Sequence, residues 1–150
     1  MKKFLMIICA AALLISDCGE NSQAVSAEVK EKSPMKNSIT IQVNGKNFHV
    51  TLEDNPTARA FAGMLPIETE MTELNGNEKY FYLAENLPAN SENVKQIHAG
   101  DLMLFGSNCV VIFYKDFSTS YSYTRLGKLD NPVDLEKILG AGNIRVTFTN

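Results

Sequence analysis

The chain has 150 residues, room for one compact domain and too little for a two-domain enzyme. Hydrophobic residues make up 45% and charged residues 21%, so most of the chain buries a core rather than staying disordered. With 14 basic against 17 acidic side chains the net charge is −3, which offers phosphate backbones no attraction and argues against nucleic-acid binding.

Residues 1–17 run from Met1-Lys2-Lys3 through the apolar stretch Phe4 to Ile15 to small and polar residues, the layout of a bacterial signal peptide. The apolar stretch is too short for the ~20 residues that a spanning helix needs. The mature chain is therefore expected to be exported, and membrane association to arise only through a lipid anchor. Leu14-Ile15-Ser16-Asp17-Cys18 resembles the lipoprotein cleavage motif, with Asp17 where a small residue is the rule, and makes Cys18 the lipidation candidate. Val25-Ser26-Ala27 offers an ordinary signal-peptidase site and a periplasmic or secreted product instead. Residues 18–37, rich in Ser, Glu, Lys and Asn, read as a flexible linker to a domain at 38–150.

The domain opens with alternating apolar and polar residues at Ser38–Val43 and Phe48–Leu52, joined by Asn44-Gly45; that pattern predicts a hairpin with a tight turn. Asn55-Pro56 supplies a helix cap and a first-turn proline, and Ala58, Phe61, Ala62 and Leu65 fall on one helical face, so a short helix is expected to about Met64. Pro66 ends it, and the polar stretch to Leu74, with Glu68, Glu70 and Glu73, reads as a solvated acidic face. Lys79–Leu83 has the aromatic content of a strand. Leu102–Phe105 and Cys109–Tyr114 read as central strands, the second too apolar to lie exposed. Tyr121–Leu126 alternates again, Asp130-Asn131-Pro132 predicts a second capped helix stopped by Gly140 or Gly142, and Ile144–Phe148 is a closing strand. About eight short strands and two short helices point to a closed barrel, mainly β, because closure removes exposed edges.

The order of these segments is similar to that of the bacterial cyclophilin-like proteins, barrel domains related in fold to peptidyl-prolyl isomerases. Asn55-Pro56-Thr57-Ala58-Arg59-Ala60-Phe61 resembles the cyclophilin helix, and Gly100-Asp101-Leu102-Met103-Leu104-Phe105 followed by Val111-Ile112-Phe113 resembles the strand pair lining the isomerase groove. The resemblance covers residues 38–150 and implies an eight-stranded barrel capped by two helices. Fold does not bring activity with it. Cyclophilins place a phenylalanine-histidine-arginine segment after the first helix, and Pro66–Leu74 has no arginine. On this resemblance Met103, Phe105, Phe113 and Tyr123 are the ligand-groove candidates, with Arg125 as a substitute cation or as half of a rim ion pair with Glu78, Asp101 or another carboxylate. No residue is assigned as catalytic.

Other chemistries lack their residues. His49 and His98 have no second ligand at metal-binding spacing, so no metal is expected. Gly140-Ala141-Gly142 follows a helix where a dinucleotide fingerprint follows a strand, and Cys109 sits in an apolar run as a small hydrophobe, so no cofactor and no disulfide framework follow. Tyr80, Phe81, Tyr82, Tyr114, Tyr121 and Tyr123 are numerous enough for a binding surface, with alternate ones belonging to the core. The leading expectation is a monomeric, exported binding domain of the cell envelope for a peptide or small ligand, without efficient isomerase activity. The alternatives are a prolyl isomerase acting on envelope proteins, and an accessory domain of a flavodoxin-type partner, a module to which family members are found joined.

Overall fold

The computed structural model describes residues 37–150. The export segment at 1–17, Cys18 and all of the linker before Asn37 lie outside the described residues. In chain order the elements are β1 (Ser38–Val43), β2 (Lys46–Leu52), α1 (Pro56–Gly63), β3 (Ile67–Leu74), β4 (Glu78–Tyr82), β5 (Glu92–Asn93), β6 (Gln96–Ile97), β7 (Asp101–Phe105), β8 (Cys109–Phe113), β9 (Phe117–Ser118), β10 (Ser122–Leu129), α2 (Leu135–Leu139) and β11 (Ile144–Thr149).

Eight of the strands pair antiparallel in the order β2, β1, β11, β3, β4, β8, β7, β10, and β10 returns to β2. The result is the closed barrel that the alternating segments predict. The first hairpin forms as expected, with Asn44 at φ 48° and Gly45 at φ 74° making the turn. Closure depends on β10, whose register shifts between Arg125 and Gly127, so that Gly127 lies opposite Leu102 on one side and Leu52 on the other. A Cβ at Gly127 would stand 2.5 Å from the Thr51 carbonyl oxygen, so the seam closes only over a glycine.

The stretch Ile67–Leu74, read as a solvated acidic segment, is a full strand between β11 and β4. Its outward side chains, Glu68 and Glu70, are exposed while Met71 is fully buried, so charge on one face concealed a half-buried strand. The second helix begins a turn later than its Asn-Pro signal, because residues after Pro132 first form a turn and Asp134 enters α2 at φ 58° with no side-chain cap. Gly140, at φ 65°, ends it as expected. At the first helix the Asn55 side-chain oxygen accepts from the Ala58 N–H at 2.8 Å, and Asn55 Nδ2 donates to the Arg125 carbonyl at 2.8 Å, fixing α1 to β10.

Two apolar clusters share the β7–β8 pair. Leu102, Leu104, Val110 and Ile112 face the barrel interior with Phe61, Phe81, Met71 and Phe148. Met103, Cys109, Val111 and Phe113 face outward and are covered by Ile97, Val94, Phe117 and Tyr123. This second layer explains why β8 is buried along its whole length. Its cover includes the β6–β9 ribbon, in which Ile97 lies opposite Phe117, and Val94, which follows β5 where that strand adds to the start of β10.

Candidate functional site

Beside this outer cluster lies a cleft of about 500 Å³, within the range of small-molecule sites. Strand alternation builds its aromatic wall. On β4, Phe81 points into the barrel while Tyr80 and Tyr82 point out; on β10, Tyr123 points out beside Phe105 of β7 and Tyr121 of the preceding loop. The rings are mutually packed: Tyr80 and Tyr82 meet edge-on at 5.7 Å, Phe105 touches Tyr121 at 6.0 Å and Tyr123 at 5.6 Å, and Tyr123 rests on Phe113 at 5.4 Å. Tyr82, Tyr121 and Phe105 are nevertheless 67%, 63% and 45% exposed, a concentration of apolar ring surface open to solvent.

The polar end of the cleft is formed by the turn between β3 and β4, which brings in Asn75, Asn77 and Glu78. Glu78 is only 9% exposed, and no donor among the described residues bonds its carboxylate. Burial, reinforced by the charge of Glu73, pushes its pKa up. It is the one charged side chain in the lining. Neighbouring groups stay protonated: burial raises the Cys109 thiol to about 11, and burial with the charge of Glu78 raises Tyr123 to about 12. A buried thiol of that acidity is inert, in keeping with Cys109 as a small hydrophobe.

The sequence-derived groove residues divide into three groups. Phe105 and Tyr123 line the cleft. Met103 and Phe113, 1% and 0% exposed, form the layer beneath its floor and do not reach the opening. Arg125 lies opposite Met103 on β10, outside the cleft lining, with Nε 3.3 Å from Glu92 Oε1. Its partner is thus neither Glu78 nor Asp101; Asp101 accepts from the His98 N–H at 2.8 Å and pairs with Lys128 at 3.7 Å. Glu78 itself was not legible as a site residue, because its lack of a partner depends on what surrounds the β3–β4 turn. Of the aromatic residues, Tyr80, Tyr82, Tyr121 and Tyr123 face the cleft, while Phe81 and Tyr114 pack inside the barrel. Among the described residues no group of three His, Cys, Asp or Glu side chains is placed to hold a metal ion.

A second depression, about 900 Å³ and more polar, lies at the end of the barrel beneath α2. Behind its lining residues Glu73 and Gly140 lies Lys79, which is fully buried yet completely partnered: its ammonium pairs with Glu73 and donates to the carbonyls of Gly140 at 2.8 Å and Gly142 at 2.6 Å. The Tyr114 hydroxyl donates to the same carboxylate at 2.8 Å. The buried ammonium and the carboxylate it meets are both answered from within the chain, which marks a structural latch.

The hypothetical protein AF2241 from Archaeoglobus fulgidus, solved in solution, is similar in fold: 22% identity, a TM-score of 0.55, and coverage of 75% of this chain and 92% of that one. No curated protein matches the chain. The model of the cyclophilin-like family matches residues 41–149, nearly the whole barrel. With its closed antiparallel barrel, two short helices and outward aromatic cleft, the chain belongs to the cyclophilin-like family.

Proposed function

We propose that the protein is an exported binding domain whose cleft takes a peptide segment or small ligand, without efficient prolyl isomerase activity. The observation that carries this reading is the composition of the cleft: six aromatic side chains among its walls and no lysine or arginine in its lining. Amide rotation has a barrier of about 18–20 kcal/mol, and lowering it needs a donor aimed at the rotating amide as well as an apolar seat. The seat is present. The strand that follows α1 carries glutamates where cyclophilins carry their arginine, and Arg125 is engaged with Glu92. A rigid barrel presenting rings on neighbouring strands is suited to recognition, because the aromatic positions are held by packing before a ligand arrives.

The reading is tested by nuclear magnetic resonance titration of the protein with proline-containing peptides, following shift changes and cis–trans exchange together. Shifts at Tyr82, Phe105 and Tyr121 without accelerated exchange are expected. Accelerated exchange abolished by Arg125→Ala, with the fold intact, would replace the binding reading by an isomerase.

A further inference from the structure

The polar end of the cleft specifies its ligand more closely than the aromatic wall does. Glu78 is nine-tenths buried, and no hydrogen-bond donor among the described residues reaches its carboxylate. Beside it, Asn77 Oδ1 is buried with no partner of any kind. Asn77 Oδ1 is the single fully buried side-chain polar atom without a partner among the described residues, and the Glu78 carboxylate, next in the chain, opens to the cleft with no bonded donor. Neither acceptor is met by a cation of the protein: Lys79, the chain neighbour of Glu78, faces the barrel interior and is fully engaged with Glu73, Gly140 and Gly142. The remaining cleft wall is tyrosine, phenylalanine, valine, leucine, serine, threonine, asparagine and one neutral cysteine. Aromatic faces carry negative quadrupole charge and attract cations, so wall and carboxylate favour the same sign of ligand.

We propose that the cleft selects organic cations: a protonated amine on an apolar or aromatic body, with its N–H groups directed at Glu78 and its body held among Tyr82, Phe105 and Tyr121. The inference rests on the cleft being a binding site at all, and it adds the charge of the ligand. A buried, unpartnered carboxylate is costly to the folded protein, and an incoming ammonium supplies both the missing counter-charge and the missing donors. Free amines and lysine side chains share this chemistry.

The test is a titration of the full chain with phenethylamine, its uncharged counterpart 2-phenylethanol, and Nα-acetyl-lysine N-methylamide at one neutral pH, read by chemical shift or calorimetry. Phenethylamine should bind about tenfold or more tightly than 2-phenylethanol, and that margin should fall below about threefold in Glu78→Gln. Tyr121→Leu, at an exposed position, should weaken the amine several-fold while leaving the fold unchanged. Tighter binding of the lysine derivative than of phenethylamine would support the proposal with a peptide side chain as the source; the reverse order would support it with a free amine. Equal affinity for amine and alcohol, or an amine advantage that persists in both variants, would overturn charge selection while leaving the cleft a binding site. Binding of none of the three at millimolar concentration would overturn both readings.

Discussion

The ammonium of Lys79 donates to the carbonyl of Gly142 at 2.6 Å, so a side chain of the barrel wall holds down the loop that closes the barrel's end. The same ammonium answers Gly140 and the Glu73 carboxylate. One fully buried cation therefore joins β4, the end of α2 and β3. Replacing it by an apolar residue leaves two loop carbonyls without their donor and the Glu73 carboxylate, still bonded by Tyr114 and the Gly76 N–H, without its counter-charge. Lys79→Met should lower unfolding free energy by about 3 kcal/mol, measured by urea denaturation with an unchanged slope. A loss below about 1 kcal/mol would show that the loop docks by its apolar contacts alone.

Glu73 and Glu78 lie near one another yet are shifted in opposite directions. Burial works against the Glu73 carboxylate, but hydrogen bonds from Lys79, Tyr114 and the Gly76 N–H outweigh it and hold the pKa below the usual 4.5. Its contribution to stability is present above that value and is lost as pH falls through the lower folded pKa. Glu78 has the reverse sign: burial and the charge of Glu73 raise it, so the folded state binds its proton more tightly, and folding is penalised as pH rises past 4.5 and the group ionises. Glu78→Gln removes this penalty. Thermal unfolding should show the variant more stable than the parent by about 1 kcal/mol at pH 7.5, with the difference vanishing by pH 4. The groups whose charges bear on Glu78 in this comparison are Glu73, Cys109, Tyr114 and Tyr123, and the last three are neutral throughout that range.

Gly127 stands where the barrel closes, and an added methyl would enter the backbone of β2 at Thr51. Backbone cannot swing aside as a side chain does. Gly127→Ala should cost about 2–3 kcal/mol and loosen the β2–β10 pairing selectively, seen as faster amide exchange than in β8 at Glu53 and Asp130, which donate across the seam to the Leu126 and His49 carbonyls.

Asn55 serves two elements at once, capping α1 with its oxygen and holding the Arg125 carbonyl with its amide nitrogen. Asn55→Asp keeps the cap and removes the donor, whereas Asn55→Ala removes both. Stability is expected to fall in that order, with the alanine variant about 1–2 kcal/mol below the parent. Equal losses in the two variants would assign the whole effect to the β10 contact.

Arg125 and Glu92 form an ion pair whose members are 39% and 65% exposed, and such pairs contribute little. Arg125→Ala should change stability by less than about 0.5 kcal/mol, so any loss of binding or activity in that variant would report on function rather than on folding.

The order of local patterns determined the barrel. Alternation at Ser38–Val43, Phe48–Leu52 and Ile144–Phe148, the Asn44-Gly45 turn and the Asn55-Pro56 cap each depend on interactions within a few residues, and each is where it was expected. Even the division of the aromatic residues followed from alternation, which sends Phe81 inward and Tyr80 and Tyr82 outward. What depended on distant partners was not legible. Ile67–Leu74 is a strand because β11 and β4 flank it, although its exposed glutamates mask the pattern. Met103 and Phe113 lie beneath the cleft because the segments 94–97 and 117–123 fold back over β7 and β8. Arg125 meets Glu92, 33 positions away, only once β5 adds to β10. Glu78 lacks a partner for the complementary reason: the lysine beside it turns the other way, and the tertiary fold surrounds the carboxylate with rings that cannot neutralise it. Local chemistry set the strands and their faces, whereas the isolation of one charge in an aromatic cleft was decided by the packing of segments far apart in the chain.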